Sequence, residues 1–102
     1  MIAPHMDDEV IACGGSLLQH RNLRSDVRVV FVSDSSGPDH DPVVAENLRR
    51  VRRAEMLQVR DVLALGSVVE LCFPDGSLLK HEHAIASRLA DELHTFRPSQ
   101  VL

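Results

Sequence analysis

The sequence has no tryptophan and no tyrosine, and its only aromatics are three phenylalanines. A surface that stacks nucleic-acid bases needs rings interleaved with basic charge. With 11 basic against 15 acidic residues, a net charge of −4, the chain offers neither, and nucleic acid is excluded as the expected partner. Cysteine is scarce as well. Cys13 and Cys72 are too few for a disulfide scaffold and match no zinc-thiolate spacing, so two reduced, packed thiols are expected. Long apolar runs are missing: stretches such as Val29–Val32 fall far short of the roughly 20 residues a membrane helix needs, and no leader-like segment opens the chain. A cytoplasmic protein without a membrane span is the expectation. Lysine occurs once against ten arginines, a skew ascribed to coding bias before function.

What is there fits one small domain: 102 residues, 44% of them hydrophobic and 25% charged. Val27–Val32 is apolar and β-branched at almost every position and is followed by Ser33-Asp34-Ser35-Ser36-Gly37-Pro38. Val68–Phe73 reads the same way and ends at Pro74-Asp75-Gly76, so both are expected to be interior parallel strands. Helical spacing marks three segments. From Val43 to Leu65 the stripe is Val44, Leu48, Val51, Val59, Val62 and Leu63, with Gly66 as the stop; from Lys80 to Phe96 it is Ile85, Leu89, Leu93 and Phe96. From Glu9 to about Arg24 it is Val10, Gly14, Leu17 and Leu18, with Asp7 or Asp8 capping the first turn and Gly14 and Gly15 allowing close approach of helix to sheet. Met1-Ile2-Ala3 reads as the last residues of one strand and Gln100-Val101-Leu102 as the first residues of another. The order β-α-β-α-β-α-β implies a mainly parallel sheet between helical layers, a Rossmann-like three-layer α/β sandwich that is incomplete at both ends. A sheet cut through two strands leaves backbone groups unpaired, so exposed edges are expected, or an oligomer or complementing chain that covers them.

In such sheets ligands bind beyond the carboxyl ends of the strands. There lies Ala3-Pro4-His5-Met6-Asp7-Asp8-Glu9, one imidazole and three carboxylates in five positions. Adjacent acids repel, and a cation is the simplest agent that makes them stable together; imidazole with carboxylate suits zinc. The plainer reading is that the acids favour a helix N-terminus and His5 is a turn residue. Spacing alone balances the two.

The run Ala3-Pro4-His5-Met6-Asp7-Asp8-Glu9-Val10, followed by Cys13-Gly14-Gly15-Ser16-Leu17, closely resembles the opening signature of the PIG-L or LmbE-like family of zinc-dependent N-acetylglucosaminyl deacetylases. Ser33–Gly37, Arg52 and Glu55 at an Arg-x-x-Glu spacing, Leu65-Gly66 and Phe73-Pro74-Asp75-Gly76 extend the resemblance over essentially the whole chain, read as residues 1–102 of a single partial domain. The resemblance implies His5 and Asp8 as Zn2+ ligands and Asp7 as the general base that takes a proton from the attacking water. It implies hydrolysis of an N-acetyl group on a small amino-sugar substrate to free amine and acetate. Met6 stands where the family usually has Pro, which predicts a looser turn. The family's third zinc ligand is a His just after a strand that would begin at about Gln100, so a chain stopping at Leu102 is expected to have an incomplete site and weak or no catalysis. A non-catalytic remnant that binds metal or sugar is the alternative.

The remaining candidates have plainer readings. Glu55 falls inside the apolar stripe of its helix, where Arg52 one turn earlier supplies a partner; the pair is expected to brace the site loops, with substrate contact by Arg52 as the other reading. His40, on the loop Pro38–Pro42, could swing toward a metal, although such loops are ordinarily just solvated. His81 and His83 project about 200° apart and cannot readily share one ion. His20 and His94 read as ordinary helix-surface imidazoles. Turn chemistry explains Asp75, leaving a minor case for contact with a sugar hydroxyl. Nucleotide binding through Cys13–Ser16 matches neither glycine pattern.

Overall fold

The computed structural model describes residues 1–37 and 41–102. Three parallel strands, β1 (Ile2–Ala3), β2 (Arg28–Ser33) and β3 (Ser67–Phe73), form one open sheet in the order β1-β2-β3. Three α-helices connect or follow them: α1 (Asp8–Asn22), α2 (Pro42–Leu63) and, after a 3-10 turn over Leu78–His81, α3 (Glu82–Phe96). The fold is therefore the expected α/β type. The fourth strand is not formed as an element. Its trace is the carbonyl of Leu102, which accepts the Ile2 N–H at 3.0 Å and sets the last residue beside β1, away from β2.

Side-chain alternation along β2 sorts the layers. Val29 and Phe31 face a core shared with Ala3 of β1, Leu17 of α1 and Met56 and Leu63 of α2. Arg28 points the other way. It meets Glu92 of α3 at 2.9 Å and lies over the Phe96 ring, so α3 covers the opposite face. β2 is the interior strand the sequence predicts; β3 is not, because it ends the strand order and leaves most of its residues only partly covered.

The helices differ from expectation in informative ways. α1 buries Glu9 and Leu17 and packs Cys13 against the core, whereas Val10 and Leu18 are exposed. The inward stripe is Glu9-Cys13-Leu17, one residue away from the hydrophobic pattern, because the residue buried at the helix start is a carboxylate. A Cβ at Gly15 would meet nothing, and one at Gly14 would make ordinary contact with Val10, so neither glycine serves close packing on the sheet. In α2, Ala45, Met56 and Leu63 face inward while Val44, Val51 and Val62 are exposed. Asp41 caps α2, its side chain accepting from the Val43 and Val44 N–H groups, and Pro42 begins it. The stop is Ala64 in the left-handed region (φ 51°), not Gly66; a Cβ at Gly66 would instead collide with the Asp26 carboxylate. α3 buries no residue.

Candidate functional site

Three loops meet at the carboxyl ends of the strands: Pro4–Asp7 after β1, Asp34–Gly37 after β2 and Pro74–Gly76 after β3. Backbone bonds begin the assembly. Ser33 N–H donates to the Pro4 carbonyl at 2.9 Å, and Asp34 N–H to the Phe73 carbonyl at 2.8 Å. Side chains complete it. Asp34 Oδ1 accepts from the Ser36 and Asp75 N–H groups at 3.1 and 3.2 Å. Ser35, fully buried and left-handed (φ 54°), accepts the Met6 N–H on its Oγ at 2.8 Å. That bond corrects the expectation of a loose turn at Met6. A proline has no N–H to give Ser35, whereas Met6 both makes the bond and buries its side chain in the core.

His5 stands at the centre. Its Nδ1 lies 3.2 Å from Asp8 Oδ2, which also accepts the His5 backbone N–H at 3.0 Å. Its Nε2 lies 3.0 Å from Asp75 Oδ1. Burial works to lower the imidazole pKa, but hydrogen bonds and charge from Asp75 and Asp8 outweigh it and leave the pKa raised. Asp75 shows the reciprocal effect. Burial pushes its carboxyl up, and His5 together with the Gly76 and Gly37 N–H groups brings it below its ordinary value. Turn chemistry explains the place of Asp75 but not its contact with His5, which the sequence does not predict. Its place directly after a parallel strand carries the minor case for a sugar-hydroxyl contact, whereas its pairing with His5, 70 positions away, has no local signal.

Asp7 precedes α1 as its N-terminal boundary without a side-chain capping bond; its carbonyl accepts from Val10 and Ile11 N–H instead. The carboxylate is free of the helix because it forms an ion pair with Arg52, Nη2 to Oδ2 at 3.4 Å. Arg52 also donates to the Ser35 carbonyl at 3.5 Å, so it braces two of the three loops. Glu55 takes no part. It is exposed, and the expected Arg52–Glu55 pair is absent because α2 turns Arg52 toward Asp7 and Glu55 away from the core. Glu9 is the buried acid instead, 1% exposed, with Oε2 unpartnered. Its carboxyl pKa is raised, first by burial and then by the charges of Asp7 and Asp8, against backbone hydrogen bonds that favour the ionised form.

The other histidines stay apart from this cluster. His83 is almost fully exposed, His81 packs on Phe73, His20 contacts Ser25 Oγ, and His94 is exposed. His40 lies outside the described residues. Cys13 is the packed thiol expected; Cys72 is exposed, because β3 carries a bulge that sets Cys72 at φ 57°. No helix among the described residues is long and apolar enough to cross a membrane.

Could this donor set hold zinc? With bonds of about 2.0–2.2 Å, two ligands on a tetrahedral ion sit about 3.3 Å apart. The 3.2 Å between His5 Nδ1 and Asp8 Oδ2 fits such a pair. No group of three histidine, cysteine or carboxylate side chains placed to hold a metal occurs among the described residues. The fit is that of two ligands.

Comparison with known proteins bears on the family and the fold. No curated protein shows a significant match. Among solved structures, the N,N'-diacetylchitobiose deacetylase from Pyrococcus horikoshii, complexed with its inhibitor MPG, is similar with a TM-score of 0.65 and 27% identity. The likeness covers 72% of this chain and 28% of that one, so the chain spans under a third of that protein's length. A model of the PIG-L family, described as GlcNAc-PI de-N-acetylase, matches residues 1–102. The chain belongs to the PIG-L family.

Proposed function

We propose that the chain carries the metal-binding and general-base part of a zinc-dependent N-deacetylase acting on a small N-acetylglucosaminyl-type substrate. The observation that carries this reading is the His5–Asp8 pair, spaced as two ligands of one ion, with Asp7 beside it and aimed by Arg52. The family match and the likeness to a diacetylchitobiose deacetylase support the same chemistry. His5 and Asp8 would hold the zinc, which when bound supplies Lewis acidity toward an amide carbonyl and acidifies water. Asp7 accepts the proton of the attacking water on its carboxylate, and that proton then goes to the departing amine. Water adds to the acetyl carbon, the C–N bond breaks, and acetate and free amine result. Arg52 holds one oxygen of the Asp7 carboxylate by its ion pair; contact with substrate hydroxyls is a second task open to its remaining N–H groups.

A non-catalytic binding remnant is the second reading, favoured by the absence of a third donor among the described residues. Two protein ligands bind zinc less tightly than three, so turnover by this chain alone is expected to be slow. The deciding experiment measures bound zinc and acetate released from N,N'-diacetylchitobiose by the purified chain, beside Asp7→Asn and His5→Ala. Acetate release that falls about 100-fold or more in Asp7→Asn supports the deacetylase. Zinc bound without any acetate release overturns catalysis by this chain alone and favours the remnant, and no zinc binding at all overturns both.

A further inference from the structure

Asp75 reaches His5 from a turn whose position is set without His5. Its Oδ2 accepts the Gly37 N–H at 3.0 Å, its Oδ1 accepts the Gly76 N–H at 2.8 Å, and its own N–H donates to Asp34 Oδ1 at 3.2 Å. The carboxylate is thus fixed by the loops after β2 and β3, and its side chain is only 11% exposed. A bulge in β3 helps place it. Phe31 pairs with Glu70 but Ser33 pairs with Phe73, so β3 spends one extra residue before the Pro74-Asp75-Gly76 turn. One added residue reverses which face of the sheet each later side chain meets.

Both carboxylates can only accept, so Asp75 Oδ1 and Asp8 Oδ2 compete for the ring's proton; the Asp75 contact is the shorter, 3.0 against 3.2 Å, and its side chain is the more buried, which favours the proton on Nε2. A neutral imidazole has one proton. With that proton on Nε2, Nδ1 turns a lone pair toward Asp8 Oδ2, 3.2 Å away and itself anchored by the His5 N–H. Two acceptors facing each other at that separation form a place for a cation. Carboxylates that take the outer N–H of a metal-bound histidine fix its tautomer and make the other nitrogen a better donor.

We propose that Asp75 is a positioning residue for His5: it holds the Nε2 proton and thereby commits Nδ1, with Asp8 Oδ2, to the metal. The inference rests on the functional reading above. It makes Asp75 a partner of the ligand and not a ligand, in keeping with the lack of a three-donor group among the described residues.

The test compares zinc affinity, by competition with a chelating dye, in the wild-type chain, Asp75→Asn, Asp75→Ala, His5→Ala and the exposed control Asp61→Asn. Asp75→Ala is expected to weaken zinc binding about 10- to 100-fold. Asp75→Asn, whose amide oxygen still accepts, should weaken it less, and Asp61→Asn should leave it unchanged. Nitrogen-15 NMR of the metal-free wild type, at a pH where the spectrum itself shows one proton on the ring, should place the His5 proton on Nε2. That spectrum needs no variant to fold and reads orientation directly. Unchanged affinity in folded Asp75→Ala, or a proton found on Nδ1, overturns the assignment while leaving the functional reading intact. Zinc binding that is absent, or indifferent to His5→Ala, overturns the functional reading and this inference with it.

Discussion

At Glu9 the chain buries a carboxylate to 1% exposure and leaves Oε2 unpartnered, an arrangement that costs stability whenever the group is ionised. Its raised pKa fixes the sign of the pH effect. The folded state holds the Glu9 proton more tightly than the unfolded state does. Stability from this group is therefore fully present below the ordinary glutamate range and is lost as pH rises through the raised value. Glu9→Gln should stabilise the chain by about 1 kcal/mol at neutral pH, and the gain should shrink as pH falls toward the ordinary glutamate value. Urea unfolding at several pH values checks this; a pH-independent difference would remove burial of the charge as the cause. The sequence shows three adjacent acids but not which one turns inward, since a helical stripe drawn from hydrophobicity passes over a charged residue. Asp75 is illegible for a related reason: 70 positions separate it from His5, and only the packing of β1 against β2 and β2 against β3 brings them together.

Among the elements, β2 was the most readable, because burial on both faces demands a continuous apolar run and few other structures do. The second strand of that appearance, β3, became an edge, since strand order is a property of crossovers and not of composition. α3 is the least anchored helix, with none of its residues buried. It is held by the half-buried Ile85, Leu89 and Phe96 and by Arg28 of β2, partly buried, which pairs with Glu92 at 2.9 Å and lies 4.5 Å from the Phe96 ring centre. Amide hydrogen exchange should therefore be faster in α3 than in β2 or α2. Arg28→Ala should speed it further, lowering the local opening free energy by about 1–2 kcal/mol while exchange in β2 changes less. Equal acceleration in all elements would show that α3 opens only with the whole fold.

For the molecule as a whole, the functional reading couples folding to metal. The turn that brings His5 to Asp8 is fastened to Ser35 through the Met6 N–H, so zinc should bind the native state far better than the unfolded chain. Zinc at 100 times its Kd should add about 2.7 kcal/mol of stability, which for a domain this size raises Tm by roughly 10–20 °C. A chelator should reverse the shift, and His5→Ala should abolish it. Thermal unfolding followed by circular dichroism, with and without chelator, reads all three outcomes. A shift that persists in His5→Ala would mean the ion binds elsewhere.

The sequence by itself determined the alternation of strands and helices, the parallel sheet and the identity of the His5-Met6-Asp7-Asp8 cluster, because apolar periodicity and local spacing act over a few residues. Tertiary structure alone decided that Arg52 serves Asp7 and not Glu55, that Ser35 fixes the turn at Met6, and that Asp75 closes on His5. Each of these contacts joins the turn after β1 to an element far along the chain: helix α2, the loop after β2 or the turn after β3. Their partners are chosen by register, a one-residue bulge and the crossing of helices over the sheet, which pairwise spacing along a chain does not encode.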